Sequence, residues 1–122
     1  MEQGDVKRAM SAFQQALNIA RQVGDRRSEA AWLSNLGQAY ATTGQLDMAW
    51  DHHKQALSVY REIGDRRGEG DGLASLGMLA HEGGDDNRAR AAWTDALHTF
   101  EAIKDPRAGR VYSMLAELEP QA

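Results

Sequence analysis

The chain has 122 residues, with 14 Lys and Arg against 18 Asp and Glu, no cysteine and a pI near 5.5. One domain with a single core is expected at this length. The acidic balance argues against a general nucleic-acid or anionic-membrane binder, whose footprint is an excess of Lys and Arg. The missing cysteines exclude a disulfide framework, a thiolate zinc site and a cysteine nucleophile, and they fit a reducing, cytoplasmic location.

Two prolines in the whole chain, few β-branched residues and abundant Ala and Leu point to an all-α fold. No stretch approaches the ~20 apolar residues that span a bilayer, and MEQGDVKRAM lacks the apolar centre of a signal peptide. Sliding the chain against itself gives one gap-free register at 40 residues. Gly24-Asp25-Arg26-Arg27 returns as Gly64-Asp65-Arg66-Arg67 and, weakened, as Lys104-Asp105-Pro106-Arg107; Ala16-Leu17 returns as Ala56-Leu57 and Ala96-Leu97. A period of this size signals a stack of identical supersecondary units.

In chain order, a first helix over about 5–23 carries Val6, Met10, Phe13 and Leu17 on one face. A second, about 26–43, places Ala30, Leu33, Leu36, Ala39 and Tyr40 on one stripe and is broken by Thr43-Gly44-Gln45. The third, about 45–63, lines up Met48, Ala49, His53, Ala56, Leu57 and Tyr60. Gly64 then suits a left-handed helix end and Asp65 an N-cap. Helices of about 66–83, 85–103 and 106–118 repeat the scheme, with Asp105-Pro106 in cap-then-first-turn order and Pro120 ending the last. Gly37 with Ala49, and Gly77 with Ala89, mark the places where paired helices come closest.

The set Leu36-Gly37, Tyr40, Gly44, Ala49 and Ala56-Leu57 resembles the tetratricopeptide repeat (TPR). The period and the Gly-Asp-Arg junctions are similar to the long-linker repeats of the Pins/LGN scaffolds and of bacterial regulatory proteins. The resemblance covers essentially all of 1–122 as one array. It implies a right-handed α-solenoid of antiparallel helix pairs, no enzyme activity, no cofactor, and a protein or peptide as partner. His53 departs from the pattern where Phe13 and Trp93 supply the usual aromatic, and Ala80 stands for Tyr40.

By that resemblance the first helix of each pair lines a concave groove. The middle unit presents Ala31, Ser34, Asn35, Gln38, Ala41 and Thr42; the next presents Asp71, Ala74, Ser75, Met78, His81 and Glu82, joined by Val111 and Met114. Small residues leave room for a peptide, whose backbone Asn35 and Gln38 suit as donors and acceptors. Arg26/Arg27 and Arg66/Arg67 suit a ligand carboxylate at the rim, or pair with neighbouring acids. The carboxylate clamp of chaperone-binding TPRs is not expected, because Asp71 and Ser75 stand where that clamp needs Lys and Arg.

Other chemistry finds little support. His52 and His53 lie about 100° apart on a helix, His81-Glu82 lacks a second histidine at zinc-helix spacing, and His98 stands alone, so all four read as exposed or edge residues. Asp85-Asp86-Asn87 lacks the distal glutamate of a calcium loop and reads as an N-cap cluster. Gly68-Glu69-Gly70-Asp71-Gly72 reads as a frayed first turn or, alternatively, as a place where a ligand backbone comes close. Trp32 and Trp50 read as fillers between neighbouring repeats, Trp93 as a packing residue.

The chain starts on a second-type helix and stops on a first-type one. Val6, Met10, Phe13 and Leu17 at one end, and Val111, Met114, Leu115 and Leu118 at the other, are therefore expected to be exposed and available for homo-oligomer formation. Three functions follow: a peptide-binding scaffold, a self-assembly module, or the regulatory segment of a larger bacterial transcription factor or signalling ATPase.

Overall fold

The computed structural model describes residues 3–118. Among them are six helices and no strand: α1 (Gln3–Val23), α2 (Arg26–Thr42), α3 (Leu46–Ile63), α4 (Arg66–Glu82), α5 (Asp86–Ala102) and α6 (Arg107–Leu118). The fold is all-α, and every described helix end falls within two residues of its expected place. The stop assigned to Pro120 lies outside the described residues.

The junctions explain this regularity. Gly24, Gly44, Gly64 and Gly84 all have φ between 72° and 83°. A side chain is crowded in that left-handed region, and glycine is not. The turn lets the next amide reach back five residues. Asp25 N donates to Ala20 O, Gln45 N to Tyr40 O, Asp85 N to Ala80 O and Asp105 N to Phe100 O, all at 2.8–2.9 Å. These bonds satisfy carbonyls that a helix end otherwise leaves bare. Aspartates at these junctions also cap the following helix: Asp25 accepts from Ser28 N at 3.1 Å, Asp65 from Gly68 N at 2.9 Å and Asp85 from Arg88 N at 3.0 Å. Gly-Asp is thus a two-residue stop-and-start signal.

The chain divides into two compact units, Met1–Ile63 and Gly64–Ala122. In the first, α2 packs against both α1 and α3. Its core joins Leu17, Ala30, Leu33, Leu36, Ala56 and Val59, with Met10, Phe13, Trp32, Tyr40 and Tyr60 around them. Each large buried side chain, such as Leu33, contributes about 1.5–3 kcal/mol. Phe13 stacks on Trp32 with ring centroids 5.7 Å apart, so this tryptophan fills the space between successive pairs as expected. Glu29 is buried, and its carboxylate meets Arg21 of α1 at 3.3 Å and Arg26 at 2.7 Å. Arg26 also pairs with Glu62, tying the start of α2 to the end of α3.

In the second unit α5 packs against α4 and α6 around Leu73, Leu76, Leu79, Trp93, Ala96, Phe100 and Val111. Gly70 and Gly77 face aromatic rings of α5. A Cβ on Gly77 would overlap the indole of Trp93, and one on Gly70 would lie 2.7 Å from Phe100 Cζ. In the first unit a Cβ on Gly37 would lie 2.7 Å from His53 Cδ2. Each ring needs the bare backbone beneath it.

Two expectations are corrected here. The glycine-dense segment is neither frayed nor open to a ligand: α4 is helical from Arg66, Gly68, Gly70 and Gly72 are buried, and Phe100 occupies the space over Gly70. His53 is not an edge histidine but a core residue, 6% exposed, because its ring lies against Gly37 of α2.

Lys104 holds the fifth left-handed position, φ 55°, without glycine's freedom. Strain there costs roughly 1–2 kcal/mol, set against a smaller backbone entropy penalty for glycine in the unfolded chain. Lys104→Gly is expected to stabilise the protein by about 1 kcal/mol, read as an upward shift of the urea midpoint.

Candidate functional site

α2 is pinned at both ends, by Asp25 and the Glu29 ion pairs at its start and by Thr43 N donating to Ala39 O at its end. Its apolar stripe is committed inward through Ala30, Leu33, Leu36 and Gly37. The opposite face therefore points to water: Ala31, Asn35, Gln38 and Thr42 are exposed, with Ser34 and Ala41 half-buried beside them. Thr42 spends its hydroxyl hydrogen on Gln38 O at 3.0 Å. The side-chain amides of Asn35 and Gln38 make no hydrogen bond within the described residues. The face is small, uncharged and provided with two donor–acceptor groups not engaged in the fold.

The matching face of α4 has a different character. Met78 is 39% exposed, Glu82 is exposed, and Ala74 and Ser75 are half-buried. The His81 ring lies tilted against Trp93 with centroids 5.9 Å apart, and its Nδ1 lies 2.9 Å from an Asp86 oxygen. Asp71 pairs with Arg107 of α6. Among the α6 residues assigned to the groove, Val111 is buried and Met114 half-buried. The structure thus splits the expected residues into an open face on α2 and a partly self-occupied one on α4.

The double arginines are mostly engaged within the chain. Arg26 serves Glu29 and Glu62, Arg66 lies 3.3 Å from Glu69, Arg67 lies 3.5 Å from Asp105, and Arg27, though exposed, also interacts within the chain. Pairing with neighbouring acids, one of the two roles expected of them, dominates. The resemblance that assigned the groove residues carried no sign of Arg107. Its guanidinium sits 4.6 Å above the Phe100 ring, bridges to Asp71, and binds Asp105 at 2.9 Å. Asp105, with its side chain 7% exposed, also accepts from Arg107 N at 2.9 Å. These hydrogen bonds, from the guanidinium first and the backbone second, hold the Asp105 carboxyl down to about 2.

The end helices also need correction. Val6, Leu17 and Val111 are buried at 2–3% exposure, since each faces inward within its own unit. Met10, Phe13, Met114, Leu115 and Leu118 are half-buried. The apolar residues that do reach water on α1 are Ile19 (59%) and Val23 (71%), and on α6 Tyr112 (65%). One period later, Val59 occupies the place of Ile19 and is 5% exposed, within the cluster that joins α3 to α2. No helix is long and apolar enough to cross a membrane, and no group of three or more His, Asp or Glu is placed to hold a metal, among the described residues.

Tandem helix pairs, glycine beneath an aromatic ring in each, and a Gly-Asp turn between them define a helical-repeat protein. A family model described as tetratricopeptide repeat matches residues 1–62, half of the chain. The chain belongs to the tetratricopeptide repeat family. None of the curated proteins compared with it matches. Such repeats serve typically as non-catalytic scaffolds for protein interaction.

Because the folded-state pKa of Asp105 lies below its ordinary value of 3.8, its contribution to stability is present above that pH and disappears as pH falls through about 2. Asp105→Asn keeps a capping side chain but removes this charge. The variant is expected to have a lower urea midpoint than the parent at pH 5 and to lose less of it than the parent between pH 4 and pH 2.

Proposed function

We propose that this chain is a non-catalytic module that binds a segment of another protein on the exposed face of α2; Ser75, Met78, His81 and Glu82 of α4 are a separate candidate contact belonging to unit 2. The observation that carries this reading is the state of Asn35 and Gln38. Both are exposed, neither is used by the fold, and they sit a turn apart between Ala31, Ser34 and Thr42. A peptide backbone laid along such a strip finds room and two amides able both to donate and to accept. An acidic ligand is disfavoured on α4, where Glu82 is exposed and Arg66, Arg67 and Arg107 are engaged with acids of the same chain. The absence of cysteine supports a reducing, cytoplasmic setting.

The test is affinity capture with the parent and with Asn35→Ala plus Gln38→Ala, followed by a binding measurement on the partner recovered. Losing two hydrogen bonds of about 0.5–1.5 kcal/mol each is expected to weaken binding roughly tenfold or more. Unchanged affinity counts against the α2 face.

A second reading, self-association through the ends, is favoured by the exposure of Ile19 and Val23 on α1 and of Tyr112 on α6. On α6 the positions equivalent to the inward Ala30, Leu33 and Gly37 are Arg110, Ser113 and Glu117, all exposed, a poor seat for an apolar face. A dilution series in light scattering that shows monomer throughout removes this alternative.

A further inference from the structure

The 40-residue register places an aromatic ring on every second-type helix: Phe13, His53 and Trp93. In unit 2 the Trp93 ring is buried against Gly77, and its indole Nε1 donates to Ala74 O at 3.1 Å. The ring is therefore both packed and satisfied. His53 takes the same station on Gly37, yet the shorter imidazole leaves its Nδ1 buried with no hydrogen-bond partner among the described residues. A neutral imidazole tolerates that place at the modest cost of one unmet polar atom. An imidazolium carries two N–H donors and a full charge, and the site provides neither acceptor nor counter-ion.

The surroundings reinforce this. The ionisable group acting on His53 from its own helix is His52, whose charge would add repulsion; Asp51, also on α3, accepts from Gln55. From α2 the facing residue is Gly37, with Tyr40 packed on the His52 ring at 4.9 Å. On α1 no residue from 9 to 20 is titratable. The carboxylates of Glu29 and Glu62 are engaged by Arg21 and Arg26.

We propose that His53 is a built-in acid trigger of unit 1: a proton on its imidazole places an unpaired charge at the α2–α3 contact, and the hairpin that carries the Asn35–Gln38 face opens. Burial, with a smaller contribution from His52, pushes the imidazole down from 6.5 to about 4. A depressed histidine is neutral and tolerated above 6.5, and stability is lost progressively as pH falls from 6.5 toward 4, where the unfolded chain binds the proton more readily.

The experiment follows amide hydrogen exchange of α2 and α3 in the full chain between pH 7 and pH 4, corrected for intrinsic exchange, in the parent, His53→Phe and His52→Gln. The opening equilibrium is expected to rise by up to about 100-fold across that range in the parent and in His52→Gln, and not in His53→Phe. An equal rise in His53→Phe overturns the proposal. Should His53→Phe not fold, the imidazole of the parent is titrated by NMR instead. A midpoint well below 6 supports the trigger, and one near 6.5 contradicts it.

Discussion

A helix pair in this protein closes over a missing Cβ. The first helix of each pair offers one glycine at mid-length, Gly37 or Gly77, and the second helix lays a flat ring across it, His53 or Trp93. Other features of each pair serve that contact. The leucines at positions 33, 36, 73 and 76 fill the space beside it, and the left-handed glycines between helices return the chain at the right angle. Aspartates start the next helix without delay. A side chain beneath the ring would separate the helices, and close-packed cores do not absorb such a change without cost.

Function follows from what this packing leaves over. With the apolar stripe of α2 turned inward, its remaining face has to be solvated, and here it is solvated by small residues and two amides rather than by the charges common on exposed helices. In unit 2 the corresponding surface is drawn into the structure by Arg107, which links Asp71 on α4 with Asp105 before α6 and covers Phe100 on α5. Two units built to one plan therefore differ in what they offer a partner.

Much of the fold was legible in the sequence because its determinants are local and periodic. Gly24-Asp25 and Gly64-Asp65 announce a helix end and a helix start within two residues, and recurrence at 40 residues confirmed each boundary independently. What escaped depends on distant partners. Gly70 reads as a weak helix residue until Phe100, thirty positions away, is placed over it. Histidine is at home in water or in a core, so His53 could not be assigned by type, although its register with Phe13 and Trp93 held the answer. Arg107 stood out only as the last residue of the weakened third junction, since nothing local tells that it reaches Asp71. The end helices were misjudged for a geometric reason: apolar periodicity shows which residues share a face, and Val6 and Leu17 share the face turned toward α2, leaving Ile19 and Val23 outward.

The claim that the glycine exists for the ring is tested most directly by a double-mutant cycle on Gly77 and Trp93. Gly77→Ala in the parent is expected to cost about 1–3 kcal/mol by overpacking. In a Trp93→Leu background, where the flat ring is gone, the same change is expected to cost little or to stabilise the helix by up to about 1 kcal/mol. Equal costs in both backgrounds, measured by urea unfolding, would show that the two residues act independently and would contradict the account.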